Sequence, residues 1–215
     1  MPAKTTTQAS KTTAKPSKTA KSASATSLDD LSGADRAGLL DRTAAMRKAT
    51  LGKTLTIGAT TANVAGNPDG TTTLRLTRVI KAPADRIYQC FVDPDAYAKW
   101  LPPNGFTGKV HKMEPKVGGS YRMSFSTIDR KLSHFFGGKF VELVPGKRIV
   151  HTDQFEDPAM GLGVMTVTID LVPVKGGTEL RIEQRGIPKG PAADGAPYGW
   201  SQSLDNLARL CEVEF

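Results

Sequence analysis

Trp200-Ser201-Gln202-Ser203-Leu204-Asp205-Asn206-Leu207-Ala208-Arg209-Leu210-Cys211 is the strongest helical pattern in the chain. Trp200, Leu204, Leu207 and Cys211 recur at i, i+4, i+7 and i+11, which aligns them on one face of an α-helix. Ser201, Gln202, Asp205, Asn206 and Arg209 fall on the other side. A helix with one apolar stripe has to bury it, and the residues upstream read mainly as strands.

Met165, Val167, Ile169 and Leu171 alternate with Thr166, Thr168 and Asp170, the period of a half-buried strand. Leu180 and Ile182 alternate with Arg181, Glu183 and Arg185. Tyr121, Met123 and Phe125 alternate with Arg122, Ser124 and Ser126. Strands are also expected over Phe106 to Met113, Leu132 to Val144 and Arg148 to Phe155. Gly118-Gly119, Pro145-Gly146 and Gly176-Gly177 supply turns. Gly137-Gly138 predicts a bulge or sharp bend inside the long strand. Thr73 to Ile80 opens the set. Pro83 then suits a first helical position, ahead of Ile87 and Phe91 on one helical face. Asp93 is placed to cap a second short helix carrying Tyr97 and Trp100, which Pro102-Pro103 ends.

The order is therefore strand, two short helices, six antiparallel strands, long helix. That is an α+β layer pair, and the long helix has only the concave face of a curved sheet to pack on. The ordered domain is expected over 72–215. Residues 58–70 read as linker, with Asn67-Pro68-Asp69-Gly70 a turn. Residues 28–50 offer a marginal helix capped by Ser32, with a thin stripe of Leu39, Leu40, Ala44 and Met46 weakened by Gly33 and Gly38.

The net charge of +8 suggests a nucleic-acid partner until it is located. Residues 1–27 hold five lysines and no acid, and account for +5 of it. Beyond Met1 that segment has no aliphatic side chain larger than alanine, so it cannot offset the entropy of ordering and is expected to be a disordered basic tail. Its lysines predict weak, salt-sensitive contact with polyanions. No arginine or apolar face marks it as a transit peptide, and no apolar run marks a secretory signal or a transmembrane segment. Cys90 and Cys211 are too few for a disulfide framework and lie in apolar helical patterns. They are expected as buried thiols in a reducing cytoplasm, with a bridge or a reactive thiol as the alternative.

Motifs for chemistry are sparse. His111, His134 and His151 show no i, i+4 pairing and have no neighbouring cysteine, so no metal set is expected. His134, His151, Asp153 and Glu156 could meet across strands as a carboxylate–imidazole cluster. Ser124, Ser133 and Cys90 lack the glycine elbow of a hydrolase nucleophile. No phosphate-binding glycine loop is present, and no cofactor is expected. The candidate site is instead a cavity, with Trp100, Phe106, Tyr121, Met123, Phe125 and Trp200 as walls. Gln184, His134 and Asp153 are its polar lining, and Gln184 would take a ligand as hydrogen-bond partner.

Several segments together carry a family resemblance. Ile80-Lys81-Ala82-Pro83, the run Ala96 to Trp100 and Pro102-Pro103-Asn104-Gly105-Phe106 come first. Gly118-Gly119-Ser120-Tyr121-Arg122-Met123, Gly138 with Glu142-Leu143-Val144-Pro145, and His151 to Pro158 follow in order. Gln184 with Gly186-Ile187-Pro188, then Gly199-Trp200 before Ser203 to Leu207, complete the set. Over 72–215 the chain resembles the SRPBCC (START-like) superfamily. The branch it resembles is homologous to the C-terminal part of the activator of the ninety-kilodalton heat-shock chaperone's ATPase. The resemblance implies a helix-grip fold, a curved antiparallel sheet wrapped around the C-terminal helix with a cavity between them. Where many relatives carry an aromatic pair in strand 151–155, this chain has Asp153. The leading expectation is a binding module for a small apolar or amphipathic ligand. A heat-shock chaperone partner is the alternative. A cyclase-like or hydrolytic enzyme using His134 or Asp153 as acid–base is the third reading, and the missing nucleophile and metal set favour binding over catalysis.

Overall fold

The computed structural model describes residues 51–161 and 163–212. The basic tail and the marginal helix expected at 28–50 lie outside the described residues. Nine strands form one curved antiparallel sheet: β1 (Thr54–Ile57), β2 (Thr60–Gly66), β3 (Thr72–Ile80), β4 (Phe106–Met113), β5 (Ser120–Thr127), β6 (Ser133–Val144), β7 (Arg148–Phe155), β8 (Met165–Val174) and β9 (Gly177–Ile187). Their spatial order is β1-β2-β3-β9-β8-β7-β6-β5-β4. Helices α1 (Ala84–Val92) and α2 (Pro94–Trp100) carry the chain from β3 to the far edge at β4, and α3 (Pro191–Cys211) follows β9. This is the helix-grip α+β arrangement. No helix among the described residues is long and apolar enough to cross a membrane.

The pattern of alternation decides which side chains face the helix. Met165, Val167, Ile169 and Leu171 are buried on β8, as are Leu180 and Ile182 on β9. Leu204 and Leu207 of α3 are fully buried in the same core cluster; removing each from water stabilises the fold by about 2 kcal/mol. Asp93 caps α2 as its sequence position implies, with its carboxylate accepting from the Ala96 amide at 2.7 Å. Trp100 is fully buried between the short helices, donating its indole N–H to the Cys90 carbonyl at 2.8 Å.

Three expectations need correction. Residues 58–70 are not a linker: Thr60–Gly66 is β2, paired with β3, and β1 extends the sheet further. The buried side chains of β2 are Thr60, Ala62 and Val64, too small to stand out as an apolar alternation. The turn at 67–70 is present, as the connection between β2 and β3, with Gly70 N–H donating to the Asn67 carbonyl at 2.9 Å. This hairpin also covers part of the polar side of the helix, since the buried Ser201 hydroxyl donates to the Ile57 carbonyl at 2.9 Å.

Gly137-Gly138 does not mark a bulge. Both glycines sit where a Cβ would collide with the carbonyl of a neighbouring strand, Tyr121 for Gly137 and Thr152 for Gly138. Their role is close strand approach, and His134, Phe136 and Phe140 stay buried through them. The irregularity falls at Val141, between Phe140 and Glu142. Finally, α3 starts at Pro191 rather than near Trp200. Gly195, Pro197 and Gly199 are poor helix formers, which hides its first half from a propensity reading.

Candidate functional site

The two halves of α3 treat the hollow of the sheet differently. Leu204, Leu207 and Cys211 fill it toward the C-terminal end. Gly195, Ala196 and Gly199 face it at the N-terminal end and leave a cavity of about 310 Å3. The size lies at the low end for small-molecule sites. Phe125, Phe136, Phe155, Met165 and Ile187 line it from the sheet, with Tyr97 and Leu101 from α2 and the loop after it. Met160, in the 3-10 turn Pro158–Met160 between β7 and β8, closes one side.

Of the nine residues expected at the site, Phe106, Phe125, His134, Asp153, Gln184 and Trp200 line this cavity. Trp100, Tyr121 and Met123 do not. Trp100 is committed to α1 and α2, with ring contacts at 4.7 Å to Phe91 and 5.4 Å to Tyr97. Met123 is fully enclosed in the core. Tyr121 stands behind the wall, its hydroxyl 3.0 Å from His151 Nδ1 and donating to the Thr152 carbonyl at 3.2 Å.

Sequence reasoning placed His151 only in a cluster with His134, Asp153 and Glu156. The structure brings the first three to the cavity and sends Glu156 away, paired with Arg122 at 2.6 Å. A signal for this existed: Ile149, His151, Asp153 and Phe155 are at period two on β7 and share its inner face. Tyr97, Phe136 and Ile187 were also missed as wall residues.

The polar lining is unevenly satisfied. Gln184 is not waiting for a ligand: its carbonyl accepts from the Trp200 indole at 2.8 Å, and its amide lies 3.2 Å from the Met165 sulfur. The Ser203 hydroxyl is engaged with the Leu101 and Gly199 carbonyls. By contrast, His134 Nδ1 and Asp153 Oδ1 are buried with no hydrogen-bond partner among the described residues. Each such group costs about 1–3 kcal/mol.

Burial controls the charges. It pushes the Asp153 carboxyl up to about 7, against the opposing pull of the Tyr121 hydroxyl and the Gln154 amide. It pushes His151 down to about 4 and lowers His134 as well, so both imidazoles are neutral at pH 7. Tyr97 and Tyr121 are raised by burial and by the nearby Asp153.

Other reactive groups are elsewhere. Ser124 Oγ lies 2.9 Å from His111 Nε2, but this pair is on the outer side of β5, and Ser124 itself is buried. Cys90 and Cys211 are both buried, with their sulfurs 3.5 Å apart as free thiols. No grouping of three or more metal-ligating side chains occurs among the described residues.

The fold and this hollow define a helix-grip domain with an apolar, aromatic-rich cavity that is partly open to the surface. The sequence profile of the family described as "Activator of Hsp90 ATPase homolog 1-like protein" matches residues 81–212, and the chain belongs to that family. A crystal structure of a Chromobacterium violaceum protein is 46% identical, covers 66% of this chain and 98% of its own, and superposes with a TM-score of 0.64. A Mycobacterium smegmatis protein at 21% identity covers 71% of this chain and 98% of its own, with a TM-score of 0.58. An AHSA1-like protein of Aeromonas hydrophila is 19% identical and covers 65% of this chain and 92% of its own, with a TM-score of 0.54. These last two share the fold. No curated protein matches the chain.

Proposed function

We propose that this protein binds a small apolar or amphipathic ligand between the sheet and the N-terminal half of α3. The observation that carries this reading is a cavity of about 310 Å3 whose lining includes Asp153 and His134, each with a buried polar atom that has no partner among the described residues. A core optimised only for stability would fill such a space and avoid such atoms. A ligand burying about 300 Å2 of apolar surface would gain roughly 7 kcal/mol from transfer. Lost rigid-body freedom reduces that, so micromolar to millimolar affinity is expected.

The test is calorimetric titration with neutral amphiphiles, a series from hexanol to dodecanol, against the wild type and Ala196→Phe. Saturable binding that the bulky variant loses supports the reading. No binding of any chain length by the wild type refutes it.

Contact with a heat-shock chaperone is the second reading, and the family description favours it. Co-purification and stimulation of the chaperone's ATPase would support it, and failure of both would remove it. Two free, buried thiols suit a reducing cytoplasm as the setting for either reading.

A further inference from the structure

The cavity has a sign. Among the described residues that line it, Asp153 is the only one of the Asp, Glu, Lys and Arg type. No lysine or arginine is among the described residues of the lining, and Asp153 Oδ1 has no hydrogen-bond partner among the described residues. Six aromatic rings, Tyr97, Phe106, Phe125, Phe136, Phe155 and Trp200, make up much of the rest of the wall.

On the premise that the cavity is a binding site, we propose that its preferred ligand is a lipophilic amine. The ammonium head sits at Asp153 and the apolar body lies among the rings. A desolvated carboxylate needs a partner that brings both positive charge and N–H donors, and an alkylammonium brings up to three. The faces of aromatic rings add attraction for the same cation, worth more in a dry site than in water. A fatty acid or a phosphate ester fits poorly. Its anionic head would meet Asp153 with no lysine or arginine to offset the repulsion. A neutral alcohol would fall between the two.

The titrating neighbours make the preference depend on pH. The titrating groups near Asp153 are Tyr97 from α2, Tyr121 from β5 and His151 from β7, and His134 from β6 lies further along the same lining. β4, β8, β9 and α3 contribute Phe106, Met165, Gln184, Trp200 and Ser203, none of which titrates in this range. The tyrosines are held protonated and His151 neutral, while burial lowers His134. Among the groups near it, the Asp153 carboxyl, pushed up to about 7, is the one that changes charge between pH 6 and 8. Its ionised fraction rises about tenfold over that interval, and amine affinity should rise with it.

Calorimetric titration of octylamine, octanol and octanoate into the full chain tests the proposal, at pH 6 and pH 8, with wild type and Asp153→Asn. At pH 8 octylamine should bind the wild type at least tenfold tighter than octanol, and octanoate should bind weakest. In Asp153→Asn the ratio of amine to alcohol affinity should fall to about one, and the rise from pH 6 to 8 should vanish. If octanol binds but the amine shows no advantage, or if the advantage survives Asp153→Asn, the amine assignment is wrong while the cavity remains a binding site. If none of the three binds, the binding reading fails, and this inference with it. The wild-type pH profile decides the matter even if the variant does not fold: an amine affinity unchanged between pH 6 and 8 overturns the proposal.

Discussion

Asp153→Asn also probes the cavity without any ligand, through the dependence of stability on pH. Burial raises the native carboxyl from its usual 3.8 to about 7. Between those values the folded chain holds a proton that the unfolded chain has already released. Stability therefore falls as pH rises, by about 1.4 kcal/mol per unit and by about 4 kcal/mol in all as an upper bound. His151 acts in the opposite direction. Its pKa drops from 6.5 to about 4 on burial, so across that window the unfolded chain binds the extra proton and stability rises with pH. In the wild type the two slopes offset each other from about pH 4 to 6.5.

Asparagine does not titrate, so the variant keeps the rise from His151 and loses the fall from Asp153. The stability difference, variant minus wild type, should climb by about 1 kcal/mol per pH unit between pH 4.5 and 7 and then level off. The buried amide still lacks partners, which costs about 1–3 kcal/mol, so the net gain at pH 8 is expected to be about 1–3 kcal/mol. Urea unfolding followed by circular dichroism at half-unit pH steps measures both curves. A difference that stays flat from pH 4.5 to 8 refutes the claim that Asp153 is held in a desolvated site.

Further outcomes follow from the packing. A chain beginning at residue 71 lacks β1 and β2, uncovers Leu74 and Leu76, and loses buried Ala62 and Val64. It should be roughly 3–5 kcal/mol less stable to urea than one beginning at residue 51; equal midpoints would show that the hairpin is not part of the folded unit. Gly138→Ala drives a methyl into the Thr152 carbonyl and should cost about 2 kcal/mol or more, whereas Gly195→Ala has open space in a helix and should gain about 0.5–1 kcal/mol. Thermal melts that move both variants the same way would contradict this. Cys90 and Cys211 are 8% and 2% exposed, so an aromatic disulfide reagent should label neither in the native protein and both in urea. Rapid native labelling would mean that α1 and α3 separate.

Long alternations of large apolar residues were legible without the structure because burial is all they encode. β8, β9 and the stripe Trp200–Cys211 are read directly from spacing. β2 was not, because Thr60, Ala62 and Val64 carry too little apolar volume to distinguish a strand from a polar connection. The first half of α3 was hidden by Gly195, Pro197 and Gly199, and those small residues are what leave the cavity open. For the site, alternation tells which face a residue is on, but not how far along the hollow it lies. Tyr121, Met123 and Phe125 share one face of β5, yet only Phe125 reaches the cavity. Gln184 was correctly placed on the inner face, while its partners, Trp200 and Met165, depended on strand register and helix position that no single segment specifies.

The most direct measurement is where a bound ligand sits. Nuclear Overhauser contacts between octanol protons and the isotope-labelled protein should appear at Phe125, Met165, Ile187 and Trp200, and be absent from the exposed outer valines Val79 and Val141. Contacts at those valines, or at no side chain under saturating alcohol, would contradict the assignment of the hollow beneath α3 as the binding site.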